Sequence, residues 1–232
     1  MPTCTRQINP PMLQYLGRKI VNTEDSQRTW CPMSRERIEG ILEIVKQAGV
    51  LRPRDLDPHG IPREYLRRLS EQGLLVRVAR GLYMLPDAPI SEHHSLAEAA
   101  KRVPNGVICL VSALRFHELT TQAPFEVWMA IENKAWRPTM SDVPLRIVRF
   151  SGRAFYADIE VHDIEGVPVR IYGPAKTVAD CFKYRNKIGR DVAIEALRDC
   201  LDQRKCGADD LWTYGGICRV RSVMRPYLEA LL

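Results

Sequence analysis

Arginine side chains recur through a short stretch near the N-terminal end of the chain. Between Arg52 and Arg80 the sequence holds seven arginines against four acidic residues. Arginine is a long hydrogen-bond donor whose planar head matches phosphate oxygens and the acceptor edge of guanine. The stretch therefore predicts contact with an anionic polymer, provided that folded elements present these side chains on one surface.

A helix predicted over residues 62–72 separates these charges from apolar side chains. On a helical projection Tyr65, Leu66 and Leu69 share one face with Pro62, and this face should pack against the preceding helix. A helix that enters the DNA major groove needs such an apolar back and long donors in front. Here Glu64 either pairs with the arginines or accepts a hydrogen bond from a cytosine amine. Arg63 and Arg67 project outward together with Glu64 and Glu71, and Arg68 lies on the flank.

The elements on either side of this helix complete a familiar order. A helix beginning after Ser34 has apolar residues at helical spacing, and a second short helix is predicted over residues 53–56. After the arginine-bearing helix, two extended runs meet at Gly81 and predict a hairpin. Three helices and a hairpin form a winged helix-turn-helix, in which phosphate contacts come from the second helix and the wing. The predicted DNA-binding residues are Arg52, Arg54, Arg63, Glu64, Arg67, Arg68, Arg77 and Arg80.

The remaining sequence predicts a second, larger domain. Helix-like and strand-like segments alternate after residue 92, and the pattern is helical from Pro174 onward. The fold class is therefore α+β, with an N-terminal winged helix-turn-helix domain and a larger mixed α+β domain that ends in helices. We expect residues 1–32 to be a flexible extension, residues 33–88 the DNA-binding domain and residues 92–232 the α+β domain.

Composition agrees with a protein that binds nucleic acid. The formal net charge is +6, which favours an anionic partner. No apolar run approaches the length of a membrane span, and the first residues have no signal-peptide core. We therefore expect a cytoplasmic protein that is not bound to a membrane. The seven cysteines show no close pair with metal-ligand spacing, so we expect free thiols.

One motif supports an enzymatic alternative. The predicted strand that ends at Glu132 continues to Lys134, and this E-x-K pattern is typical of metal-dependent nucleases, with Glu118 as a further candidate carboxylate. The motif is frequent by chance, and we find no Ser/His/Asp or Cys/His set. We therefore expect no catalytic residues, metal or cofactor. A module that binds only proteins is a third hypothesis.

Longer segments of the sequence resemble the AbiEi family of antitoxins. They are GIPREYLRRLSEQGLLVRVARGLYMLPD (60–87), HHSLAEAAKRVPNGVICLVSALRFHELTTQAPFEVWMAI (93–131), PLRIVRFSG (144–152) and IEGVPVRIYGPAKTVADCFKYRNKIG (164–189). The resemblance implies a transcriptional autorepressor and antitoxin of a type IV-like toxin–antitoxin, or abortive-infection, system in phage defence. It implies double-stranded promoter DNA with inverted repeats as one partner, bound by a monomer or weak dimer. The other partner would be a cognate nucleotidyltransferase-like toxin, with or without direct contact.

The last of these segments also contains a polar cluster on a predicted helix. The cluster consists of Lys176, Asp180, Lys183 and Tyr184. Val178 should turn inward with its apolar neighbours. We favour a packing role for this helix. A role in neutralising the toxin is the alternative that the resemblance leaves open.

Overall fold

The computed structural model of the protein describes residues 34–88, 91–138 and 144–232. The predicted extension over residues 1–32 lies outside the described residues. We call residues 34–88 the N-terminal region and the described residues from 91 onward the C-terminal region.

The N-terminal region has the predicted order of elements, because apolar residues at helical spacing meet in one small core. This core includes Ile41, Leu56 and Leu66, one from each helical element. Pro62 is an exception to the prediction: it lies before the helix and is exposed, so it does not share the buried face. The elements are α1 (Arg35–Ala48), a 3-10 helix (Pro53–His59), α2 (Glu64–Glu71), β1 (Val76–Ala79) and β2 (Leu82–Met84).

The C-terminal region combines one sheet with a set of helices. A short helix, Arg153–Tyr156, was not expected from the sequence, and the strand that begins at Val107 ends at Ile108 because the chain turns into a helix at Leu110. The elements are α3 (His94–Arg102), β3 (Val107–Ile108), α4 (Leu110–Phe116), β4 (Val127–Glu132), β5 (Leu145–Phe150), α5 (Arg153–Tyr156), β6 (Ile159–Ile164), β7 (Val167–Tyr172), α6 (Pro174–Lys183), α7 (Arg185–Ile188), α8 (Arg190–Asp202), α9 (Ala208–Ile217) and α10 (Arg221–Leu231).

The sheet of the C-terminal region is mixed, with strand order β5-β4-β3-β7-β6. The pairs β4–β5 and β3–β7 are parallel, whereas β3–β4 and β6–β7 are antiparallel. Strand β4 is buried from Val127 to Ile131, which fits a strand covered on both faces. Helix α6 lies in the interior, where it packs against α4, α8 and α9. The architecture is the predicted α+β class with a helical C-terminal end.

The two regions pack against each other through the wing. Ala79 and Leu82 of the hairpin belong to the same buried cluster as Leu96 of α3 and Val167 of β7. At the end of α1, Gly49 lies so close to the β6–β7 turn that a Cβ there would collide with the carbonyl oxygen of Glu165. The wing is therefore a packed element, and its exposed residues are Val76 and Arg77 at the start of β1 and Arg80 at the tip.

The thiol prediction is wrong for one pair of cysteines. Cys200 and Cys206 form a disulfide, with their Cα atoms 5.7 Å apart. The chain leaves α8 in a tight turn, in which the backbone N–H groups of Lys205 and Cys206 both donate to the carbonyl of Cys200. This turn brings together two side chains whose spacing matches no metal motif. Cys109, Cys181 and Cys218 are free and buried, as expected.

Candidate nucleic-acid interface

Helix α2 presents the predicted division between an apolar back and a charged front. Tyr65, Leu66 and Leu69 are buried in the core of the N-terminal region. Arg67 is exposed at the front, and its guanidinium lies 3.2 Å from Glu71 and 3.5 Å from Glu64. Arg67, Glu64 and Glu71 form ion pairs with residues one helical turn away on the same helix. These side chains therefore lie on the surface and make no part of the core.

Arg68 and Arg63 flank this front on its two sides. Arg68 is half-buried and its guanidinium lies 3.3 Å from Glu64, so this carboxylate contacts two arginines. Arg63 lies at the residue before α2, not within it, and its Nε donates to Asp57 over 2.9 Å. The Arg63 guanidinium holds the pKa of the exposed Asp57 carboxyl below its usual value. The ion pair is therefore fully charged at neutral pH.

Arg52 and Arg54 lie at the start of the 3-10 helix but in different environments. Arg54 is exposed. Arg52 is only 20% exposed, and its guanidinium is 2.9 Å from Asp55 and also donates to the carbonyl of Lys101. Burial raises the pKa of Asp55, but hydrogen bonds from Arg52 and the charges of Arg52 and Lys101 lower it below the usual value. Arg52 is thus also a structural link between the two regions.

The wing carries the remaining predicted arginines at its exposed edge. Arg77 is exposed on β1, and its Nε donates weakly to the carbonyl of Ala79 over 3.4 Å. Arg80 lies at the tip beside Gly81, whose φ of 70° is the left-handed conformation that a tight hairpin turn requires. The three residues of β2 are buried. The tip is therefore held in place by packing behind it.

A cleft of about 340 Å³ lies between these elements. Arg52, Arg54, Arg63 and Arg80 of the predicted set line it. Two cations that we did not predict, Lys101 and Arg102 in the last turn of α3, line it as well. The sequence shows these two adjacent cations, but where they lie relative to the predicted arginines depends on how the two regions pack. The structure thus brings four of the eight predicted residues to one concave surface, while Glu64, Arg67, Arg68 and Arg77 are not part of its lining.

The residues of the nuclease hypothesis do not assemble. Glu132 lies at the exposed end of β4, where its charge and a hydrogen bond raise the pKa of Tyr156. Glu118 instead contacts Lys205 at 3.3 Å. Among the described residues, no group of three His, Cys, Asp or Glu side chains is placed to hold a metal ion. No described helix combines the length and apolar character needed to cross a membrane.

Comparisons with known proteins bear on both regions. The crystal structure of the RV2827C protein from Mycobacterium tuberculosis superposes on 76% of this chain and 69% of that protein, with a TM-score of 0.53 and 15% sequence identity. At this identity the likeness concerns the fold alone. No curated protein sequence matches the chain.

A family model described as "Transcriptional regulator, AbiEi antitoxin" matches residues 41–86. This segment runs from the middle of α1 to just beyond β2 and includes α2, so it covers the interface described above. The match confirms the predicted resemblance over these residues. Residues 41–86 of this chain are therefore similar in sequence to the AbiEi family of antitoxin transcriptional regulators.

Proposed function

We propose that this protein is an antitoxin that represses its own operon by binding double-stranded promoter DNA through the winged helix. The observation that carries the proposal is the division of α2, whose apolar side is buried while Arg67 and its neighbours face outward. In winged helix-turn-helix proteins the equivalent helix enters the major groove. The family match over residues 41–86 supports the same role.

Within this proposal Arg67 on α2 and Arg63 immediately before it read bases, and the flanking arginines bind phosphates. Arg63 and Arg67 are the candidates for guanine, because arginine donates in bidentate fashion to its O6 and N7 atoms. Their present partners are exposed carboxylates, and exposed ion pairs are weak because water screens the charges. DNA therefore displaces them at little cost. Glu64 either accepts from a cytosine amine or holds Arg67 and Arg68 in position.

Phosphate contacts come from the elements on either side of α2. Arg54 is exposed at the 3-10 helix, and Arg77 and Arg80 are exposed on the wing. Arg68 and Arg52 are partly held by Glu64 and Asp55. A wing arginine reaches either a flanking phosphate or a minor groove. Two copies on an inverted repeat would place one recognition helix in each half-site, which suits a monomer or weak dimer in solution.

The antitoxin part of the proposal concerns the C-terminal region and a nucleotidyltransferase-like toxin. It is supported by the family match and by the resemblance of residues 93–131, 144–152 and 164–189 to AbiEi antitoxins. We propose a domain division at residues 33–88 and 92–232, a cytoplasmic location and no catalytic activity. Neutralisation is tested by co-expression with the toxin encoded beside the gene. The full chain should restore growth, and toxicity that persists at equal expression would refute neutralisation.

DNA binding is tested by fluorescence anisotropy on DNA from upstream of the protein's own gene. The wild type should bind it more tightly than a scrambled fragment of equal length. Loss of one good bidentate base contact costs about 1–3 kcal/mol, so Arg63→Ala with Arg67→Ala should weaken binding by at least about tenfold. The matched control is Arg190→Ala with Arg198→Ala, which removes two exposed arginines from α8. Equal affinities for the two double variants would show that α2 does not read the operator.

A further inference from the structure

The basic cleft described above draws its cations from both regions of the molecule. Arg52, Arg54 and Arg63 come from the 3-10 helix and the approach to α2, and Arg80 comes from the tip of the wing. Lys101 and Arg102 come from the last turn of α3. The other lining residues are Pro53, Gly81 and Leu82, so no described residue that lines the cleft is acidic.

Two of these cations are held in place before any ligand binds. The side chains of Arg52 and Lys101 are only 20% and 13% exposed. Asp55 lies behind them, 2.9 Å from the Arg52 guanidinium and 3.6 Å from Lys101 Nζ. Arg52 also donates to the carbonyl of Lys101. Long cationic side chains lose conformational entropy when they bind, and this loss is smaller where they are already ordered.

The electrostatics of the cleft favour an anion. One carboxylate, Asp55, contacts both Arg52 and Lys101. Burial and the nearby charge of Arg52 lower the pKa of Lys101, whereas Asp55 raises it. The pKa of Lys101 is below its usual value as a result. Crowded cations that are partly removed from water are stabilised by a bound anion. Phosphate, with several acceptor oxygens and a full negative charge, suits such a set of donors.

We propose that this cleft is a phosphate-binding site, that its ligand is a backbone phosphate of DNA, and that α3 thereby makes the C-terminal region part of the DNA interface. The inference rests on the proposed function. Arg63 marks the start of the helix proposed for the major groove, and Arg80 marks the wing tip proposed for the flanking backbone. A strand that passes from one to the other crosses the cleft between them.

The site predicts a sequence-independent contribution from two residues outside the winged helix. Each phosphate contact that is lost lowers the salt slope of binding by about one unit without changing the preference among sequences. Lys101→Gln and Arg102→Gln should each produce this change, and Lys101→Arg should restore the wild-type slope. The control is Lys187→Gln, which removes an exposed lysine from α7, a helix that packs on α6 and α8.

The experiment measures anisotropy across a salt series for operator and scrambled DNA, after thermal melting has established that each variant is folded. Lys101 contacts Asp55, so Arg102→Gln provides the test if Lys101→Gln fails to fold. A reduced slope on both DNA fragments supports the site. The inference is overturned if both variants keep the wild-type salt slope on operator DNA. The proposed function stays intact in that case, provided that the wild type binds this DNA and the double variant Arg63→Ala with Arg67→Ala does not.

A second arm separates a DNA phosphate from a free one. Calorimetric titration with inorganic tripolyphosphate reports on the cleft without DNA. If the wild type binds tripolyphosphate in a Lys101-dependent manner but binds no promoter DNA, the cleft binds phosphate, but its assignment to DNA fails together with the proposed DNA function. If neither ligand binds, both proposals are refuted.

Discussion

Helices α2 and α6 carry the same local pattern, a cation and a carboxylate four residues apart, in opposite environments. Arg67 and Glu71 in α2 have side chains that are both 60% exposed. Lys176 and Asp180 in α6 are 0% and 1% exposed, and they form a direct ion pair in the interior. The comparison shows that spacing alone does not decide whether such a pair serves recognition or packing.

The surroundings of the two pairs explain the difference. Lys176 Nζ lies 4.3 Å from the ring centroid of Tyr172 and 4.9 Å from that of Phe150, so aromatic faces help to hold its charge. The thiol of Cys218 donates to the other oxygen of Asp180 over 3.1 Å. The Arg67–Glu71 pair in α2 is instead exposed to solvent. Exposed pairs exchange partners freely, whereas a buried pair cannot lose one partner without cost.

The largest expected effect follows from breaking the buried pair on one side. Lys176→Met leaves the Asp180 carboxyl in the interior without its cation, and removing one partner of a buried pair costs about 3–5 kcal/mol of unfolding free energy. Urea unfolding measures the loss. The double variant Lys176→Met with Asp180→Leu is the control, and it should recover most of the stability. A single variant within about 0.5 kcal/mol of the wild type would show that the pair contributes nothing.

The pH dependence of that single variant sharpens the same point. Burial raises the pKa of Asp180, while Lys176 and the Cys218 thiol oppose the shift. Without Lys176 the carboxyl should titrate higher still, so the folded state binds a proton that the unfolded state releases above its usual pKa of about 4. The stability of Lys176→Met should therefore fall as the pH rises from 5 to 8. A variant that became more stable over this range would contradict the assignment.

A smaller effect is expected where the two regions meet. Gly49 has a φ of 59°, and an added Cβ would collide with the carbonyl oxygen of Glu165 in the β6–β7 turn. Gly49→Ala should cost about 1–3 kcal/mol for the strained backbone, whose ψ is −73°, and more for the collision. Gly152→Ala is the matched control, because Gly152 also combines a positive φ of 51° with a negative ψ of −137° and has open space around its Cβ position. Equal losses for the two variants would show that the turn yields without cost.

The comparison also explains how far the sequence predicts this molecule. Helix α2 was predictable because its apolar residues recur at helical spacing and its charges fall on the opposite side. The burial of Lys176 was not, since a lysine followed by an aspartate one turn later is typical of an exposed helix face. The parallel pair β3–β7 also joins distant segments, and hydrophobic patterns within each strand do not specify that pairing.

The candidate interface shows the same limit. The exposure of Arg67 is predictable from its position on the charged side of α2. Arg52, in contrast, contacts Asp55 and Lys101 and is less exposed than its position in the sequence suggested. Lys101 and Arg102 were visible as the basic end of a helix. Their approach to Arg63 and Arg80 depends on packing between α3 and the wing, which no local pattern encodes.

The smallest expected change in stability concerns the acidic partners in α2, and it decides the role of Glu64. Glu71→Gln should alter the unfolding free energy by less than about 0.5 kcal/mol, because the pair is exposed. It should tighten DNA binding about twofold by freeing Arg67 and removing a negative charge near the backbone.

Glu64→Gln is the informative companion, since Glu64 contacts both Arg67 and Arg68. If Glu64 only restrains these arginines, its substitution should also tighten binding to operator and scrambled DNA alike. If it accepts from a cytosine amine, the same substitution should weaken operator binding and leave the scrambled fragment unaffected or more tightly bound, as anisotropy on the two fragments would show.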